Sequence, residues 1–354
     1  MAWSDLEDLL EAFVQAGAAS AVAASVQTLG RREVFSFFYG NTRGDAEGRP
    51  IDPSTRFDLA SLTKVFATTT HIARLVDQGR LDLAEDVRAE FPELSWNGGV
   101  DTRIDPILRH QAGFSWWMDF SRASSSQEVF RSIAANPPAY APDTTSVYSD
   151  LGFILLGEFL ARRYEEPLDR QVMRGFDETL GTHGFSYRPL DRGVPVSKIV
   201  ATEQVLERGG AIQGVVHDRN TERLGGVAGH AGLFGTLDDC ARLSMLWLRA
   251  VREESSWLSS SVAHAFLRRY RAKDGKARAL GWDVPTQPGS MAGANVSDDA
   301  YGHSGYTGTS SWIDVRRGAV VVLLTNRVHP RDEKKAIAEL RPAFHDAVWK
   351  ELDG

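Results

Sequence analysis

The chain has 354 residues, 42% of them hydrophobic and 25% charged, with a formal net charge of −7 and an isoelectric point of about 5.8. That length builds one large domain or two intertwined ones, and the acidic balance argues against a general binder of nucleic acid or anionic membrane. The single cysteine, Cys240, excludes an internal disulfide and reads as a buried structural thiol.

The acidic start, Met1-Ala2-Trp3-Ser4-Asp5-Leu6-Glu7-Asp8, has neither the basic nor the apolar region of a signal peptide. The chain as given therefore reads as cytoplasmic, a trimmed exported protein being the alternative. No apolar run approaches the roughly 20 residues of a membrane span, so no membrane partner is expected. Residues 4–16 have helical periodicity, with Leu6, Leu9, Leu10, Phe13 and Val14 on one face. Residues 21–28 and 34–39 are short apolar runs separated by Leu29-Gly30-Arg31-Arg32-Glu33, a hairpin signal. Residues 61–77 are predicted helical, with Val65, Phe66, Thr69, Ile72, Ala73 and Val76 inward and Gly79 as the stop. Helical patterns recur at 151–163, 168–180 and 237–253 between Pro- and Gly-rich breaks. One strand is predicted over 302–314, a buried strand over 318–326 and a last helix over 332–351. The pattern is α+β: an antiparallel sheet flanked by terminal helices, built from 1–80 and 270–354. An all-helical insertion spans 81–269, with a site in the cleft between the two parts.

Ser61-Leu62-Thr63-Lys64 is the segment with the strongest chemical content. A serine hydroxyl needs a neighbouring base to become a nucleophile. At i and i+3 on a helix, Ser61 and Lys64 share a face, and a partly buried lysine can lose its charge and accept the proton. The first helical turn also presents free N–H groups to a developing oxyanion. Alone the tetrad is weak, since about one chance match is expected in a chain this long. Two further segments add to it: Tyr148-Ser149-Asp150 before a helix, and His303-Ser304-Gly305-Tyr306 opening the predicted 302–314 strand. His110 and His230 lie beside glycines and read as loop-orienting groups. One cysteine and no His-x-x-x-His pair leave no metal site, and no cofactor is expected. The Gly-x-Ser-x-Gly elbow of α/β-hydrolases is absent.

In order and spacing these three segments resemble the penicillin-recognising serine hydrolases: class C β-lactamases, D-alanyl-D-alanine carboxypeptidases and related esterases. The resemblance runs from about residue 21 to 326 and implies a β-lactamase/transpeptidase-like fold. It implies an acyl-enzyme on Ser61, with Lys64 and Tyr148 moving protons. It also implies an oxyanion hole from the Ser61 and Tyr306 N–H groups, and His303, Ser304 and Gly305 beside substrate. Asp150 departs from the usual Asn. A carboxylate there raises the pKa of Lys64, which shifts the base role toward Tyr148 and leaves the choice between them open. The expected partner is a small-molecule ester or amide. His303 and Asp150 favour small neutral esters, with D-alanyl peptides or weak β-lactam hydrolysis as the alternative and a catalytically silent binding protein as the rival class. Trp116, Trp117 and Trp312 are candidates for an acyl pocket or for core packing. Oligomeric state is left open.

Overall fold

The computed structural model describes residues 3–30, 34–181 and 183–354. In chain order, the elements that frame the site begin with α1 (Trp3–Gln15), β1 (Ala21–Thr28) and β2 (Phe35–Gly40). They continue with α2 (Thr70–Asp77), α3 (Asp150–Arg163), α4 (Leu168–Leu180) and α5 (Leu237–Val251). The C-terminal part supplies β3 (Tyr301–Ser304), β4 (Ser310–Asp314), β5 (Ala319–Thr325) and α6 (Lys334–Asp353). Of the expected hairpin turn between β1 and β2, Arg31, Arg32 and Glu33 lie outside the described residues.

The five strands form one antiparallel sheet in the order β3-β4-β5-β1-β2, which brings the two ends of the chain together. Val22 stands opposite Thr325 and Thr28 opposite Ala319. The period-2 alternation of β5 explains the layering. Val321 and Leu323 point to α1 and α6, packing with Leu10, Phe13, Phe344 and Val348. Val320, Val322 and Leu324 point the other way, into a core shared with Leu243 and Leu248 of α5. That core continues without a break to Ile107, Leu151 and Phe153.

Two expectations are corrected. The predicted 302–314 strand is a hairpin, β3 and β4, with a turn at Gly305–Thr309. Gly308 takes φ +106°, and a Cβ on Gly305 would lie 2.5 Å from the Leu59 carbonyl. The Thr-rich composition hid this turn because Thr307 and Thr309 spend their hydroxyls elsewhere. Thr307 Oγ1 donates to the Asp58 carbonyl at 2.7 Å, and Thr309 Oγ1 to the Leu59 carbonyl at 3.0 Å. The 81–269 stretch, expected to be all-helical, also carries strands: Ser186–Tyr187 and Leu233–Gly235, paired in a small sheet with Phe57–Asp58, and the hairpin of Ala201–Val205 with Gly210–Gln213. Within the same stretch α5 packs directly on β1, β4 and β5. Among the described residues no helix is long and apolar enough to cross a membrane.

Candidate active site

Ser61 follows Ala60, which is held in the left-handed region at φ 47°, uncommon for a residue with a Cβ. The chain then turns tightly: the N–H groups of Leu62, Thr63 and Lys64 each bond the carbonyl three residues back at 3.0 Å. From Lys64 to Thr69 the backbone is wound as a π-helix before continuing as α2. The expected helix over 61–77 is therefore present with a wider turn than an α-helix. Such π segments recur at functional sites. Among the described residues the Ser61 and Tyr306 N–H groups have no acceptor in the protein.

Lys64 is fully buried and uses all three of its donors. Nζ donates to Asp150 Oδ1 at 2.7 Å, to Ser61 Oγ at 3.2 Å and to the His230 carbonyl at 3.3 Å. Tyr148 Oη donates to Ser61 Oγ at 2.8 Å, and its ring centroid lies 4.7 Å from Lys64 Nζ. Burial pulls the Lys64 pKa down, but Asp150 and Tyr148 together outweigh it, and the net shift is upward. Burial also raises the Tyr148 phenol. Lys64 opposes that rise and Asp150 adds to it, again with a net upward shift. The resting pair is thus an ammonium and a neutral phenol, and one proton must leave it before it can take the Ser61 proton.

This arrangement predicts a pH dependence with a definite sign. The rate should rise with pH as the coupled Lys64–Tyr148 pair loses its proton. Asp150 raises both members of the pair. In Asp150→Asn the alkaline limb of kcat/KM is therefore expected at lower pH than in wild type. A pH–rate profile checks this, and a limb that stays put or moves upward contradicts it.

Each of these groups is held from behind. Asp150 opens α3, where a negative charge favours the helix N-terminus, and its N–H bonds the Trp116 carbonyl at 2.9 Å. Ser149 N–H donates to His110 Nδ1 at 3.0 Å, and the His110 ring packs 4.8 Å from that of Tyr148. His230 pairs through Nε2 with Asp218 Oδ1 at 2.9 Å, which fixes the carbonyl that receives Lys64. Both histidines thus orient loops around the site, as expected from the sequence.

The opposite side is the Gly305–Thr309 turn. His303 is buried, and burial lowers its pKa to about 3, so it is neutral at physiological pH. Its Nδ1 bonds the Ser304 carbonyl at 2.8 Å, while its ring lies 5.7 Å from that of Tyr148. His303 thus meets the Tyr148–Lys64 pair by ring packing and lines the cleft beside Ser304 and Gly305. The Tyr306 ring is 45% exposed, stacks on His217 and donates from Oη to Asp332 at 2.7 Å.

Ser61, Tyr148, His303, Ser304, Gly305 and Tyr306 meet in one cleft of about 410 Å³. The sequence reading missed its cations. Arg278, Arg327, Lys334 and Arg341 also line it, with Asp283 as the carboxylate. Arg341, buried in α6, donates to the Gly305 and Thr309 carbonyls rather than to an acid. The candidate acyl-pocket tryptophans are elsewhere. Trp312 is buried in the core on the α1–α6 side of the sheet, and Trp116, 63% exposed, packs at a tilt against Trp117 outside the lining of this cleft. Among the described residues no cluster of His, Cys, Asp and Glu converges as a metal site.

Comparison with known proteins agrees with this architecture. The family described as Beta-lactamase matches residues 6–343. An N-acetylmuramyl-L-alanine amidase of Bacillus subtilis (strain 168) is 33% identical over 314 residues, covering 79% of this chain and 70% of that protein. A Salmonella agona protein carrying the name D-alanyl-D-alanine carboxypeptidase is 30% identical over 304 residues, covering 78% of this chain and 70% of the relative. Among solved structures, EstCE1, a hydrolase with promiscuous acyltransferase activity, superposes with a TM-score of 0.75 at 18% identity over 98% of each chain. A penicillin-binding protein homolog from Caulobacter crescentus gives a TM-score of 0.72 at 20% identity, covering 97% of this chain and 96% of that one. The chain belongs to the beta-lactamase family. It is a serine hydrolase of ester or amide bonds with the fold of that family.

Proposed function

We propose that the chain hydrolyses small acyl amides or esters that carry a free carboxylate near the scissile bond. The chemistry is that of a D-alanyl peptide or a related cell-wall fragment. Ser61 Oγ attacks the carbonyl carbon and gives its proton to the Lys64–Tyr148 pair. The tetrahedral oxyanion is held by the Ser61 and Tyr306 N–H groups. The leaving amine or alkoxide takes a proton back from the pair, and water then releases the acyl group by the same steps.

The observation that carries the substrate class is the charge of the cleft wall. Arg278, Arg327, Lys334 and Arg341 stand against Asp283 in the lining and Asp332 beside it. At an effective dielectric of about 20, one cation some 4 Å from a carboxylate contributes roughly 4 kcal/mol before desolvation. The relatives at 30% and 33% identity, a carboxypeptidase and an amidase by name, support the same class. A second reading, small neutral esters, is favoured by the Asp150 carboxylate beside Lys64 and by the neutral His303. A matched pair of substrates separates the two. The acyl compound with a free carboxylate is expected to show kcat/KM at least about tenfold above its methyl ester, an increment of 1.4 kcal/mol. A methyl ester turned over equally well or better would overturn the reading.

A further inference from the structure

Asp58 has no part in the mechanism above, yet it lies three residues before the nucleophile and is only 2% exposed. A buried carboxylate is costly unless it is well bonded. Its two oxygens accept backbone N–H groups rather than a cation: Ala60 N–H at 2.8 Å on Oδ1, and His217 N–H at 2.7 Å on Oδ2. The first bond holds the left-handed Ala60, and Ser61 follows directly. The second holds His217, whose ring stacks on Tyr306 at 5.4 Å and 23°. The next residue, Asp218, pairs with His230, the residue whose carbonyl receives Lys64.

The Asp58 main chain ties the same parts. Its carbonyl accepts Thr307 Oγ1 at 2.7 Å, and the neighbouring Leu59 carbonyl accepts Thr309 Oγ1 at 3.0 Å. Two residues that follow Tyr306 are thereby fastened to the segment that leads into Ser61. The contact is close enough that a Cβ on Gly305 would meet Ala60 Cβ at 3.3 Å.

We propose that Asp58 is a positioning residue of the oxyanion hole: side chain and carbonyl together set the Ser61 N–H and the Tyr306 N–H relative to each other. The proposal rests on the reading that these two N–H groups form the hole. In Asp58→Asn the carboxamide must turn an N–H toward either Ala60 N–H or His217 N–H, so one of the two bonds is lost while volume is kept. The hole stabilises the transition state and not the bound substrate, so the loss should fall on kcat.

The test is turnover of p-nitrophenyl acetate by wild type and Asp58→Asn, normalised to sites titrated with a fluorophosphonate. A loss of about a hundredfold in kcat, the scale of one misplaced oxyanion donor, is expected with KM within about twofold. Inhibition by phenylboronic acid, which forms a tetrahedral adduct on serine, should weaken in step with kcat. A normalised kcat within about threefold of wild type, or a change confined to KM, overturns the proposal. Should Asp58→Asn fail to fold, Thr307→Val removes the main-chain tie alone. A kcat-selective loss there supports the proposal, and an unchanged kcat overturns it. Failure of the proposed acyl transfer at Ser61 looks different, since wild type itself would then neither label at Ser61 nor turn over.

Discussion

Ser61→Ala is expected to lower acyl transfer by about a millionfold in kcat, the scale seen when the nucleophile of a serine hydrolase is removed. The geometry supports so large an effect, because Ser61 Oγ is the point where Lys64 Nζ and Tyr148 Oη both arrive, at 3.2 and 2.8 Å. Alanine leaves the cleft and its charges in place, so substrate should still bind. The measurement is covalent labelling by a fluorophosphonate together with pre-steady-state release of p-nitrophenol. Wild type should label and show a burst; Ser61→Ala should do neither. Labelling that persists in the variant would place the nucleophile elsewhere.

Tyr148→Phe is the second large effect, with a loss of about a thousandfold expected from the range for a general acid–base group. Phenylalanine keeps the ring against His110 at 4.8 Å and against His303 at 5.7 Å, so folding should be preserved. What disappears is the hydroxyl that reaches Ser61. Lys64 would then be alone beside the nucleophile, held in its charged form by Asp150 at 2.7 Å. An ammonium cannot take the serine proton, and the variant should lose both rate and the alkaline limb of its pH profile. A Tyr148→Phe enzyme that keeps that limb with little loss of rate would make Lys64 the base and Tyr148 an accessory.

The sequence carried the parts of the site that are contiguous or periodic. Ser61 and Lys64 are legible because i and i+3 share a helix face, and the wider π winding did not alter that. Residues 318–326 are legible as a strand because an unbroken apolar run buries both faces of β5. The turn inside 302–314 was not legible. Its cause is the docking of Thr307 and Thr309 on carbonyls about 250 residues away. The cations failed for the same reason: Arg341 meets the Gly305 turn only because α6 folds back over the sheet. No local pattern in the sequence marks Asp58. Its meaning depends on His217, 159 residues on. Periodicity reports a residue's own element and is silent about what another element brings to it.

The unbroken core that runs from Val322 in the sheet to Phe153 in α3 has a consequence for how the enzyme can change over evolutionary time. An interior packed as one body across sheet and helices has no apolar seam between them, so a change of volume at one place is felt in both. Met291, which lines the cleft and is 38% exposed, stands outside that interior, so a substitution there disturbs it less. New acyl preferences should therefore arise most readily at the mouth of the cleft.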